Sequence, residues 1–106
     1  MEQINKSLDV FVTIRFSTKT GKIDTTITSK GCALAKMWAL NNTKSTKTTV
    51  IVHRETGKIM FACRGKANDF PTIAPEKNLG NCEDIGIPLD YIHSIKDDRF
   101  DKEEVV

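Results

Sequence analysis

A chain of 106 residues with 39% hydrophobic and 28% charged residues has the size and composition of one globular domain with a modest core, which excludes fibrous, disordered and membrane-spanning classes. Its formal charge of +2 hides a split: residues 1–66 hold 12 Lys/Arg against 4 Asp/Glu, and residues 67–106 hold 4 against 10. Three widely spaced cysteines, Cys32, Cys63 and Cys82, make a poor disulfide framework, no apolar run reaches bilayer-crossing length, and MEQINKSLDV lacks a secretory leader, so a cytoplasmic chain with free thiols and no membrane partner is expected.

Residues 1–7 are polar, with no core-facing repeat, and are expected to form a flexible N-terminus. From Leu8 the pattern changes. Leu8, Val10, Val12, Ile14 and Phe16 alternate with Asp9, Phe11, Thr13, Arg15 and Ser17, the period of a half-buried strand, with only Phe11 breaking the polar face. A turn over residues 18–22 leads to Ile23, Thr25 and Ile27 alternating with Asp24, Thr26 and Thr28, which completes a hairpin. Residues 29–42 then carry good helix formers, with Thr28 or Ser29 as N-cap and Ala33, Leu34, Met37, Trp38 and Leu40 or Asn41 at helical spacing.

Residues 48–65 read as a second hairpin around Glu55-Thr56-Gly57-Lys58, where glycine supplies the positive φ that such turns commonly need. Val50, Ile51 and Val52 form a β-branched run suited to burial on one or both faces. The two hairpins share Thr-Gly-Lys-Ile, at Thr20 and at Thr56. Such an echo raises a duplicated ββα unit, but Thr-Gly-Lys is a common turn and no sustained self-similarity accompanies it, so a shared turn chemistry is the expected reading.

Residues 66–86, with Pro71, Pro75, Gly80 and Gly86, lack periodicity and are expected to form a long loop tacked to the core by Phe70, Ile73 and Leu79. Pro88 suits the first turn of a short helix carrying Leu89, Ile92 and Ile95. Residues 97–106 form a charge-dense, loose acidic tail. The expectation is therefore an α+β domain over residues 8–96: an antiparallel sheet of about four strands in ββαββ order, a central helix and a short C-terminal helix. The central helix closes one sheet face around Trp38 and Phe61, and the other face stays wet.

Two functions fit this reading. The first is a non-enzymatic protein-interaction or regulatory, inhibitor-like domain that meets an unidentified protein partner through an exposed strand edge or through the long loop, with Phe70, Ile73 and Tyr91 as contacts. An open edge also offers a route to a dimer. The second is nucleic-acid binding without sequence specificity through Arg15, Lys19, Lys22, Lys44, Lys47, Arg54, Lys58, Arg64 and Lys66. Phe11 is its single exposed aromatic, where single-strand platforms use several. The acidic residues Asp97, Asp98, Asp101, Glu103 and Glu104 would in that case fold back over the basic sheet, although charge blocks more often stay solvated.

Neither metal nor cofactor is expected. Cys32, Cys63, Cys82, His53 and His93 contain no C-x-x-C or H-x-x-x-H pair, and phosphate-loop, dinucleotide and nucleophile-elbow signatures are missing. Cys82 is the best candidate nucleophile, but the adjacent Glu83 and Asp84 disfavour its thiolate, so no catalytic residue is assigned.

Overall fold

Alternation and turn chemistry place the two hairpins where the computed structural model, which describes residues 10–99, has them. β1 (Phe11–Ser17) pairs antiparallel with β2 (Ile23–Ser29), α1 (Ala33–Asn42) follows, and β3 (Lys47–His53) pairs antiparallel with β4 (Ile59–Arg64). β5 (Thr72–Ile73), a 3-10 helix (Cys82–Ile85) and α2 (Leu89–Ser94) complete the chain. The sheet order is β2-β1-β3-β4-β5 with every neighbour antiparallel, so the α+β class holds with a fifth, two-residue strand added to the expected four. No helix among the described residues is long and apolar enough to cross a membrane.

Both faces of the sheet are covered, which corrects the expectation of a wet face. On one side α1 lays Ala35 and Ala39 over Ile51, Phe61 and Cys63. On the other, the 3-10 helix and α2 bring Cys82, Ile87 and Ile92 onto Val12, Ile14, Val50, Val52 and Ile59. The apolar alternation of β1 therefore faces α2, not α1. The unbroken Val50-Ile51-Val52 run is explained by a strand whose two faces both lie in a core. Arg54 ties the second layer down: it is 3% exposed, and its Nη1 donates to Ile95 O at 2.8 Å.

α1 begins later and faces differently than its spacing predicts. It approaches the sheet through two alanines, whose small side chains allow close contact, and this rotates Leu34 and Met37 outward to 76% and 58% exposure. Trp38 lies at the rim of this core rather than at its centre, whereas Phe61 is buried as expected. The segment expected to be a structureless loop also has internal order. Asn81 and Asp84 form a reciprocal cap on the 3-10 helix, and Cys82 N donates to Gly57 O at 2.7 Å. The expected flexible residues 1–7, with Leu8, and residues 100–106 of the expected tail lie outside the described residues. Within that tail Asp97 accepts from Thr28 Oγ1, and Arg99 Nη2 donates to Thr28 O at 3.2 Å.

The hairpins repeat each other in register. Thr13 opposite Ile27 becomes Thr49 opposite Cys63, and the irregularity between Arg15 and Phe16 recurs between Ile51 and Val52, the same spacing that separates the two Thr-Gly-Lys-Ile turns. Gly21 N donates to Ser17 O at 2.8 Å and Gly57 N to His53 O at 2.7 Å. Thr18 N reaches Thr46 O while Arg54 N reaches Val10 O, so a pseudo-two-fold axis passes between the paired Ile14 and Val50. The echo that the sequence left at four residues thus extends through a four-stranded unit. It ends there, because α1 and α2 cover opposite faces.

This relation yields a matched pair of substitutions. Gly21 and Gly57 have φ of 77° and 78°, but a Cβ on Gly21 meets nothing within 4 Å, whereas one on Gly57 would lie 2.8 Å from Leu89 Cδ1, 3.0 Å from Asn81 Oδ1 and 3.1 Å from Cys82 Sγ. Gly21→Ala should cost about 1 kcal/mol of left-handed strain. Gly57→Ala should cost about 2 kcal/mol, because the 3-10 helix and α2 must also give way. Urea denaturation of both variants measures the difference, and equal midpoints would mean that the second layer does not press on this turn.

Candidate binding surface

Register sorts the predicted basic residues into two groups. Ser17 lies opposite Lys47 and Thr48 opposite Arg64, so Lys19, Lys22, Lys44, Lys47, Arg64 and Lys66 converge on one end of the sheet. Arg54 and Lys58, in the second turn, sit at the opposite end, which breaks up the single basic surface expected from sequence.

At that end, and at Arg15 within β1 two residues before Ser17, some charges are already engaged. Arg15 Nε donates to Asp24 Oδ1 at 2.9 Å, Nη1 to Asn42 O at 2.9 Å and Nη2 to Thr25 Oγ1 at 3.1 Å, while the guanidinium lies 5.4 Å from the Trp38 ring centroid. It joins the end of α1 to β2. Lys47 shares Asp24. Hydrogen bonds from Lys47 and then from Arg15 hold the Asp24 carboxyl well below the usual carboxylate range. Arg15, Lys47 and the buried Arg54 are therefore structural ties, and Lys19, Lys22, Lys44, Arg64 and Lys66 are the solvent-exposed cations of this end.

Beside these lysines lies an open groove of about 510 Å³ between the end of α1 and the segment that follows β4, lined by Leu40, Lys44, Lys66, Phe70 and Pro71 among others. Phe70 is 72% exposed. Ile73, 49% exposed, is in register with Cys63 and so belongs to the sheet face that α1 covers. Tyr91, by contrast, is carried by α2 on the opposite face. Two of the three predicted contacts therefore share a side of the molecule and the third does not.

Sequence reading missed Leu34 and Met37, which continue an exposed apolar ridge along α1 towards Leu40 at helical spacing. The available signal was the pair Ala35 and Ala39, four residues apart, marking a different contact face from the larger apolar residues. Lys36 sits between ridge and sheet, its Nζ 3.4 Å from Glu76 Oε2 and 5.6 Å from the Phe61 ring centroid. Phe11 is not the exposed stacking platform that sequence suggested. It is half-buried against the α1 core, with its ring 5.2 Å from that of His53.

The remaining candidates for chemistry are dispersed. His53 Nδ1 lies 2.9 Å from Thr56 Oγ1, and His93 Nε2 lies 3.1 Å from Glu55 O. Cys63 is buried beneath α1, Cys82 is buried on the α2 side, and Cys32 is half-buried just before α1. Burial, reinforced by the Glu83 carboxylate, pushes the Cys82 thiol up, away from nucleophilic use.

No family model, curated protein or solved structure matches this chain.

Proposed function

We propose that this domain is a non-enzymatic binding module that captures an acidic peptide segment bearing an apolar anchor. The observation that carries this reading is the position of Phe70: a large, exposed aromatic at the mouth of a groove whose rim holds Lys44 and Lys66. Leu40 and Pro71 offer the anchor an apolar bed, and Lys19, Lys22 and Arg64 extend positive potential across the same end. Rim cations of this kind contribute little to affinity individually, at most about 1 kcal/mol. They steer an acidic partner and set its orientation, while a desolvated aromatic supplies the hot spot.

Nucleic acid is the second reading, supported by the convergence of exposed cations on one end of the sheet. It is the weaker of the two. Arg15 and Lys47 are both tied to the one Asp24 carboxylate, which leaves the three with a single net positive charge, and Phe70 stands as one aromatic where single-strand grooves stack several.

Selection of a displayed library of random short peptides on the immobilised protein tests the proposal, followed by anisotropy titrations of a selected peptide and of an oligothymidylate. Selected sequences should combine Asp or Glu with Leu or Phe. Phe70→Ala should weaken their binding about tenfold or more, while Tyr91→Ala, on the other face, should leave it unchanged. Selected peptides without acidic residues, or equal affinity for Phe70→Ala, would overturn the reading. Tight oligothymidylate binding that collapses with salt would move the assignment to nucleic acid.

A further inference from the structure

Of the six large hydrophobic side chains exposed among the described residues, Leu34, Met37, Phe70 and Ile73 lie on the α1 side of the sheet, while Ile85 and Tyr91 belong to the layer on the other. Single apolar residues scattered over a surface are ordinary, but their concentration on one face marks a contact site. α1 spans 10 residues, about 15 Å at the α-helical rise, and Leu34, Met37 and Leu40 recur along it every third position. Leu40 also lines the groove beside Phe70. Ridge and groove are therefore one continuous surface.

The adjoining sheet edge does not suit an added strand. Ala74 N donates to Ala62 O at 2.9 Å, so Thr72 and Ala74 turn their backbone groups towards β4, and residues 71, 73 and 75 turn theirs outward. Two of those outward positions are Pro71 and Pro75, which have no N–H. Ile73 is left as the single outward donor of β5, too little for a ladder. A row of helix side chains spaced by three, by contrast, seats between the rows of a second helix. Charge then selects the chemistry of that helix. No acidic residue occurs between Asp24 and Glu55, whereas Lys30, Lys36 and Lys44 fall before, within and after α1. Lys36 meets Glu76, and Asp69 lines the groove, but Lys44 and Lys66 stand exposed on its rim. A second copy laid along α1 would oppose lysine to lysine, and an acidic helix meets the opposite charge.

We infer that the acidic segment captured by this domain is an amphipathic helix that lies along α1, its apolar residues at i, i+3 or i+4, and i+7 packing on Leu34, Met37 and Leu40, and its terminal anchor entering the groove beside Phe70. The inference rests on the peptide-binding reading, since the groove holds one end of the helix. Acidic residues flanking the anchor face Lys44 and Lys66, which orient the helix more than they tighten it. Met37, unbranched and polarizable, adapts to the apolar side chain set against it.

Anisotropy titrations of the full chain test it with a labelled peptide of about 16 residues, roughly four helical turns, carrying Leu at i, i+3 and i+7, Phe at one end, and Glu and Ala elsewhere. A scrambled peptide of the same composition is the control. The amphipathic peptide should bind about tenfold or more tightly than the scrambled one, and circular dichroism should show helix gained on mixing. Leu34→Ala combined with Met37→Ala puts a good helix former at two exposed positions and so keeps the fold, and it should weaken binding about tenfold. Tyr91→Ala, on the other face, should leave binding unchanged. If Phe70→Ala weakens binding while neither the double substitution nor scrambling does, the peptide-binding reading stands and the helix is overturned. If neither Phe70→Ala nor the double substitution matters, both are overturned. Absence of binding even at low salt overturns the helix, while selected peptides that need Phe70 would still uphold the peptide-binding reading.

Discussion

Ile92→Ala is expected to destabilise the domain by about 3 to 4 kcal/mol, the upper part of the range for deleting a fully buried isoleucine. Ile92 is 0% exposed and packs with Val12, Ile14, Val50, Val52 and Ile59. α2 has only six residues, far below the length at which a helix persists alone in water, so its stability comes from this contact. Losing the side chain leaves a cavity and also weakens the hold on the layer that shields four valines and isoleucines of β1 and β3. Ile85→Ala, at 43% exposure, serves as the control and should cost well under half as much. Urea denaturation measures both. Were α2 not seated on this face of the sheet, the two variants would unfold at similar midpoints.

The sequence carried the hairpins because their information is local. Period-two alternation and a glycine that admits positive φ specify two strands and a turn without reference to the rest of the chain. The short helix after Pro88 was legible for the same reason. What covered the second face was not, because residues 66–86 are held by features with no period: the reciprocal cap of Asn81 and Asp84, the buried Cys82, and backbone bonds such as Ile59 N to Gly80 O at 2.9 Å. The facing of α1 misled for a related reason. Leu34, Met37 and Trp38 carry the larger hydrophobic weight, yet closest approach to the sheet belongs to Ala35 and Ala39, and packing distance outranked side-chain size.

The candidate surface was legible only as a roster. Lys19, Lys44 and Lys66 come from three separate segments and meet because the register of β1, β3 and β4 puts their ends together. Sequence could not divide them from Arg54 and Lys58, nor foresee that Arg15 and Lys47 would share Asp24. The pseudo-two-fold relation was hidden similarly. A strand register needs a turn and an alternating pattern rather than identical residues, so Thr-Gly-Lys-Ile and the pair Thr13 and Thr49 are nearly all that remains visible of it.

Gly65→Ala is expected to have the largest effect of any glycine-to-alanine change in this chain, about 4 kcal/mol or more, enough to leave a domain of ordinary stability largely unfolded in mild denaturant. A Cβ at Gly65 would lie 1.6 Å from Lys44 O and 2.1 Å from its carbonyl carbon. Here the exit of β4 crosses the turn between α1 and β3 backbone against backbone, with no flexible side chain to move aside. Relief requires shifting a turn that Gly65 N to Lys47 O and Lys47 N to Lys44 O, both 2.9 Å, hold in place. The crossing also sets the separation of Lys44 and Lys66 on the groove rim, so the segment that fixes the proposed binding surface cannot relax without altering it. Gly31→Ala is the control, since a Cβ there meets nothing within 4 Å and its φ is not positive. It should change the urea midpoint by little or raise it slightly. If Gly65→Ala unfolds at the same urea concentration as Gly31→Ala, the two backbones do not cross as closely as described. The position of Lys44 relative to Lys66, and with it the groove beside Phe70, would then have to be redrawn.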